Sequence, residues 1–172
     1  MTLRTFAWSV SFPFVFFASN LHGAVPMQIV VLTGQVAPGT DAGVVFSDFG
    51  VPLIDDAGLT AFNAKLTGPG VVTDVNDGGI WVERAGSLTL VARTRSQAPG
   101  TPAGVNFSVL SYLMLNGAGR TAFDADLAGT GVDLANNAGI WSDAGGALAI
   151  VTRAGRSAPG NAAGLVEWVW QR

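Results

Sequence analysis

Ala61-Phe62-Asn63-Ala64-Lys65-Leu66, then Gly79-Ile80-Trp81, Leu88-Thr89-Leu90-Val91-Ala92-Arg93 and Ala98-Pro99-Gly100, form a module that the chain states twice. It returns as Ala122-Phe123-Asp124-Ala125-Asp126-Leu127, Gly139-Ile140-Trp141, Leu148-Ala149-Ile150-Val151-Thr152-Arg153 and Ala158-Pro159-Gly160. Phe62 and Phe123 stand 61 residues apart, Trp81 and Trp141 stand 60 apart, so one residue is lost between those landmarks. A repeat of this length marks a propeller- or solenoid-type array.

Each module carries four strand-like runs. The first is Val44–Phe49, matched by Val105–Leu110. A turn follows at Asp55-Asp56-Ala57-Gly58, or Asn116-Gly117-Ala118-Gly119, because Asp, Asn and Gly tolerate left-handed backbone and bond their own chain. The second run, Leu59–Leu66 or Arg120–Leu127, alternates: Phe62, Ala64 and Leu66 share one face, Ala61, Asn63 and Lys65 the other. The single-residue indel falls between Val72 and Asn76, in the loop before the third run, Gly79–Glu83. The fourth run is Ser87–Arg93, and Ala-Pro-Gly ends the module, since proline cannot sit inside a central strand. Adjacent Ile80 and Trp81 are both large, which fits a sheet buried on both faces.

The expected fold is therefore all-β: two four-stranded antiparallel modules, blade-like as in a β-propeller, forming an incomplete array. The boundaries are a signal peptide over 1–24, the last strand of a preceding module with a linker over 25–43, and module 1 over 44–104. Module 2 follows over 105–164, and the first strand of a further module over 165–172. Closed propellers take about 4–8 blades, so the chain reads as a fragment of a longer array, as one of several copies in a ring, or as two modules packed into a sandwich, and the partners expected are further modules or other copies of the chain.

The N-terminus reads as an export signal. Arg4 is a short positive region, Thr5–Ala18 is apolar, and small residues follow from Ala18 to Ala24. The apolar run is shorter than the roughly 20 residues that span a bilayer, and no second run suggests a span after cleavage. This places the chain outside the cytoplasm, extracellular or in the cell envelope. Only 12% of the 172 residues are charged and the net charge is −3, so nothing resembles a nucleic-acid footprint. Cysteine is absent, which removes disulfides and thiolate metal sites from the argument.

Catalysis has little to work with. The one histidine, His22, lies in the leader, and without Cys no Ser-His or Cys-His pair can form. Asp55-Asp56 and Asp124 with Asp126 are the carboxylate pairs a glycoside hydrolase would need. Asp55 becomes Asn116 in the other copy, and Asp124 and Asp126 correspond to Asn63 and Lys65, which favours turn and surface roles. Asp74, Asn76 and Asp77 either place oxygen ligands as part of a calcium loop would or simply cap their turn, and calcium is the only cofactor the sequence suggests. Arg93 and Arg153 end equivalent runs and offer a repeated anion or sugar contact, or a bond to loop carbonyls or carboxylates in a neighbouring module. Trp81 and Trp141 read as core rather than as a sugar-stacking platform.

The runs Ala57-Gly58-Leu59-Thr60-Ala61-Phe62, Leu66-Thr67-Gly68-Pro69-Gly70-Val71, Asn76-Asp77-Gly78-Gly79-Ile80-Trp81 and Leu90-Val91-Ala92-Arg93, repeated from Ala118 to Arg153, resemble an uncharacterised bacterial family. Its members are exported tandem-repeat proteins with several such modules in a row. The resemblance implies an extracytoplasmic, propeller-like array and supplies no catalytic residues. The resulting expectation is a non-enzymatic exported β-repeat protein, a binding or cell-envelope scaffold module. A carbohydrate-binding, lectin-like propeller with a glycan partner is the alternative, and a glycoside hydrolase the third reading.

Overall fold

The structure, a computed structural model, describes residues 28–157. The expected leader, the strand at 165–172 and Ala158-Pro159-Gly160 lie outside the described residues. Nine strands are described: β1 Val45–Phe49, β2 Leu53–Ile54, β3 Thr60–Thr67, β4 Gly78–Arg84, β5 Ser87–Arg93, β6 Asn106–Leu115, β7 Thr121–Ala128, β8 Ala138–Ser142 and β9 Ala149–Arg153. They form two antiparallel sheets, β1-β3-β4-β5 with β2 also on β3, and β6-β7-β8-β9. No helix is present among the described residues, and the fold is all-β as the repeat requires.

The two sheets differ at their first strand. In the first sheet Gly50 and Pro52 interrupt it, and β2 resumes pairing with β3 through Leu53↔Ala61 and Ile54↔Thr60. Proline has no N–H to give a ladder. In the second sheet Ser111-Tyr112-Leu113 stands there, so β6 runs on to Leu115. A register shift between Ser111 and Met114 marks the same place, with Tyr112 at φ 48°. The turns behind these strands are as read: Asp55 Oδ1 accepts the N–H groups of Ala57 and Leu59, and Asn116 Oδ1 those of Ala118 and Arg120.

Alternation along β3 and β7 puts Phe62, Ala64 and Leu66, or Phe123, Ala125 and Leu127, on the face that also carries the tryptophan. The ring of Phe46 meets Trp81 edge-on at 4.8 Å, and Phe107 meets Trp141 at 4.9 Å. In the first sheet this face is covered by Val31, Ala37 and Val44. The opposite face, with Ile80 and Ala92, packs against Phe107, Phe123 and Trp141 of the second sheet. Ile80 and Trp81 are thus both 0% exposed, on opposite sides of one strand. In the second sheet Trp141 is also at 0%, whereas Ile140 is 38% exposed.

Each tryptophan fits because the residue two before it lacks a side chain. A Cβ on Gly79 would lie 2.6 Å from the Trp81 ring, and one on Gly139 would lie 2.9 Å from Trp141. The indole N–H then donates to the proline carbonyl of the preceding Ala-Pro-Gly: Trp81 to Pro38 at 3.0 Å, Trp141 to Pro99 at 3.0 Å. By contact, Ala98-Pro99-Gly100 goes with the sheet that follows it.

The passage between sheets is abrupt. Thr94 N–H still donates to Gly78 in the first sheet, while Arg95 N–H donates to Phe107 in the second. Gly34 makes the same bond to Phe46. Gly34, Arg95 and Gly155 occupy equivalent places with φ 82°, 69° and 78°.

Residues 28–32, expected as a preceding module's fourth strand, form no strand. A fourth run is held by its third run, and no Gly-Ile-Trp stands one repeat length upstream of Gly79. Val31 nevertheless packs on the first sheet's aromatic face, as Ala92 packs on the second's.

Candidate functional site

The residues singled out from the sequence fall into two groups. Arg93 and Arg153 bond their own module. Arg93 Nε donates to the Asn76 carbonyl at 3.0 Å, and Arg153 Nε to the Asn136 carbonyl at 2.7 Å, with Nη2 on Asn136 Oδ1 at 2.9 Å. Both therefore fasten the loop before the third strand of their own module, where a loop of a neighbouring module was expected. Burial, with help from nearby Arg156, lowers the pKa of the Arg153 guanidinium, which still stays charged. The asparagines complete the clamp: Asn76 Nδ2 donates to Gly70 and Asn136 Nδ2 to Gly131.

Asp74 and Asp77 do come together, around an ammonium. Lys65 Nζ lies 3.2 Å from Asp74 Oδ1 and 3.1 and 3.0 Å from the two Asp77 oxygens. Asn76 does not join them, because its Oδ1 accepts the Val72 N–H at 2.6 Å. Among the described residues no group of three or more His, Cys, Asp or Glu side chains is placed to hold a metal ion. Asp77 is only 5% exposed. Burial pushes its carboxyl up, but the hydrogen bond from Lys65 and backbone donors outweigh this and leave the pKa lowered. The Asp77 hydrogen bond in turn raises Lys65, against a smaller downward push from burial. The pair is not repeated, since Asp126 and Asn137 stand at the equivalent positions.

The carboxylates considered above stay in their two neighbouring pairs, Asp55 with Asp56 in one turn and the half-buried Asp124 with Asp126 on one face of β7. Asp55 caps its turn, Asp56 is exposed in the same turn, and Asp126 is exposed on β7. A carboxylate that the sequence reading missed is Asp143, 2% exposed. It accepts the Thr121 N–H at 2.6 Å and an ion pair from Arg84 across the two sheets. A signal was present: Glu83, its counterpart, accepts from Thr60 at 2.7 Å, and Thr60 is the counterpart of Thr121.

Lys65 and its partners stand on one wall of an open cleft of about 490 Å³ between the sheets. Asp48, Phe49, Asn63 and the Asp74–Asp77 loop supply the first-sheet side, and Ser108, Val109 and Leu110 of β6 the other. Ala64, Gly78 and Gly79 also line it. Asn63 bridges it, donating from Nδ2 to the Leu110 carbonyl at 3.3 Å.

No helix among the described residues is long and apolar enough to cross a membrane. Comparisons with curated proteins and with solved structures return no match. The model of a family of unknown function, DUF7453, matches residues 18–169, both sheets and the crossing between them, and the chain belongs to that family.

Proposed function

We propose that the chain is an exported, non-enzymatic β-repeat scaffold whose sheets stack as blades of a propeller-like array. One observation carries this reading: the polar groups that the two copies share are used on the chain's own backbone. The indole N–H of each tryptophan meets a proline carbonyl, and each repeated arginine meets an asparagine carbonyl. At the candidate calcium positions Lys65 supplies the positive charge between Asp74 and Asp77. Export rests on the leader-like sequence from Arg4 to Ala24.

The test is to express the full chain in a bacterial host, locate it by fractionation and assay it on glycoside, ester and peptide substrates. A shortened, envelope-retained or secreted product without turnover is expected. A chain of full mass retained in the cytoplasm overturns export. Hydrolysis abolished by Asp55→Asn or Asp124→Asn overturns the non-enzymatic role.

A further inference from the structure

We infer that the cleft between the two sheets is a binding site for a neutral, hydroxyl-rich ligand, a saccharide unit. The inference deepens the scaffold reading, on which it rests, by naming what the stacked sheets hold. Its volume of about 490 Å³ lies in the range of small-molecule pockets, roughly 300–1,000 Å³. The Lys65–Asp77 pair of this lining belongs to the first sheet alone, with Asp126 and Asn137 at the equivalent positions of the second.

The ligand class follows from the mixture of polar groups. Asp48 and Asp74 present carboxylate oxygens, which only accept hydrogen bonds. Lys65 presents an ammonium, which only donates, and its side chain is 48% exposed. Asn63 and Ser108 do both. A cation entering the cleft meets the Lys65 ammonium, and an anion meets three carboxylates. A hydroxyl donates and accepts at once, so it satisfies both kinds of wall without bringing a charge to be desolvated. Leu110 adds apolar surface on the β6 side.

Lys65 is the only lysine, which gives a direct readout. The full chain is treated with an amine-reactive label, and modification of Lys65 is followed by peptide mass analysis. Glucose, N-acetylglucosamine and their short β-linked oligomers are the neutral probes; spermidine and inorganic phosphate are the charged ones. At least one saccharide is expected to slow Lys65 labelling several-fold, and Asp48→Ala, at an exposed position, to abolish that protection. Protection by spermidine or phosphate alone overturns the ligand class. Protection that survives Asp48→Ala overturns the placement in this cleft, and no protection by any probe overturns the site. A failed labelling experiment leaves the scaffold reading standing, because export and absence of turnover are measured separately.

Discussion

Ile80 and Ile140 occupy the same place in two copies of one module, and substituting each by alanine tests whether the sheets stack as described. Ile→Ala removes three carbons' worth of side chain. At about 0.8 kcal/mol per buried methylene the transfer loss is about 2.4 kcal/mol. Ile80 is at 0% exposure with the second sheet against it, so a cavity cost is added, and the total reaches about 3–4 kcal/mol. Ile140 is 38% exposed. It has already kept part of its water and leaves a dent rather than a cavity, so its loss is about 1 kcal/mol. The difference of about 2–3 kcal/mol corresponds to roughly 4–12 °C in Tm for a chain of this size. Urea unfolding followed by tryptophan fluorescence measures it, with both variants compared at the same protein concentration. Equal losses at the two positions would refute the one-sided stacking, whatever the size of either loss.

Three further outcomes are expected. Gly139→Ala drives a Cβ to 2.9 Å from the Trp141 ring and 2.7 Å from the Thr152 carbonyl, and it should cost about 1–3 kcal/mol by overpacking. Gly145→Ala has nothing within 4 Å and should cost far less in the same thermal melt. Arg95→Gly should stabilise the chain by about 0.5–1 kcal/mol. It relieves a left-handed residue at φ 69°, and the larger backbone entropy of glycine offsets part of that gain. A lower Tm for this variant would show that the Arg95 side chain contributes something the hydrogen-bond pattern does not reveal.

The Lys65–Asp77 pair sets a pH dependence with two edges. The Asp77 pKa is lowered, so its contribution is present above the unfolded value of about 4 and is lost as pH falls through the folded one. The Lys65 pKa is raised, so its contribution is full below about 10.4 and is lost as pH rises through the folded value. Lys65 is half-exposed, and solvent screening keeps the pair to about 0.5–1 kcal/mol at neutral pH. The Tm difference between wild type and Lys65→Met should therefore shrink at both ends of a pH series. A difference that stays constant from acid to alkali would show that only the aliphatic stem of Lys65 contributes.

Much of the fold was legible because burial on two faces leaves a mark in the letters. Phe62, Ala64 and Leu66 alternate with Ala61, Asn63 and Lys65, and β3 follows that alternation. Ile80-Trp81 needed apolar surroundings on both sides and has them. Leu53–Ile54 went unread because two residues behind a proline carry no period, and their pairing is decided by β3. The site was less legible. Lys65 meets Asp77 only because the loop after β3 turns back over its own strand, a path that depends on Asn76 bonding Val72 and Gly70. The Arg84–Asp143 pair joins two sheets, and its formation depends on how one sheet seats against the next. Local pattern carries no information about that seating.

The crossing at Thr94 and Arg95 bears on how the protein responds to force. Neighbouring residues are hydrogen-bonded into different sheets, so the joint contains no slack segment that could act as a hinge. A pull on one sheet reaches the other through the backbone ladder itself. The two sheets are thus expected to bend or yield as a single elastic body, unlike beads on a string that rotate freely before either one opens.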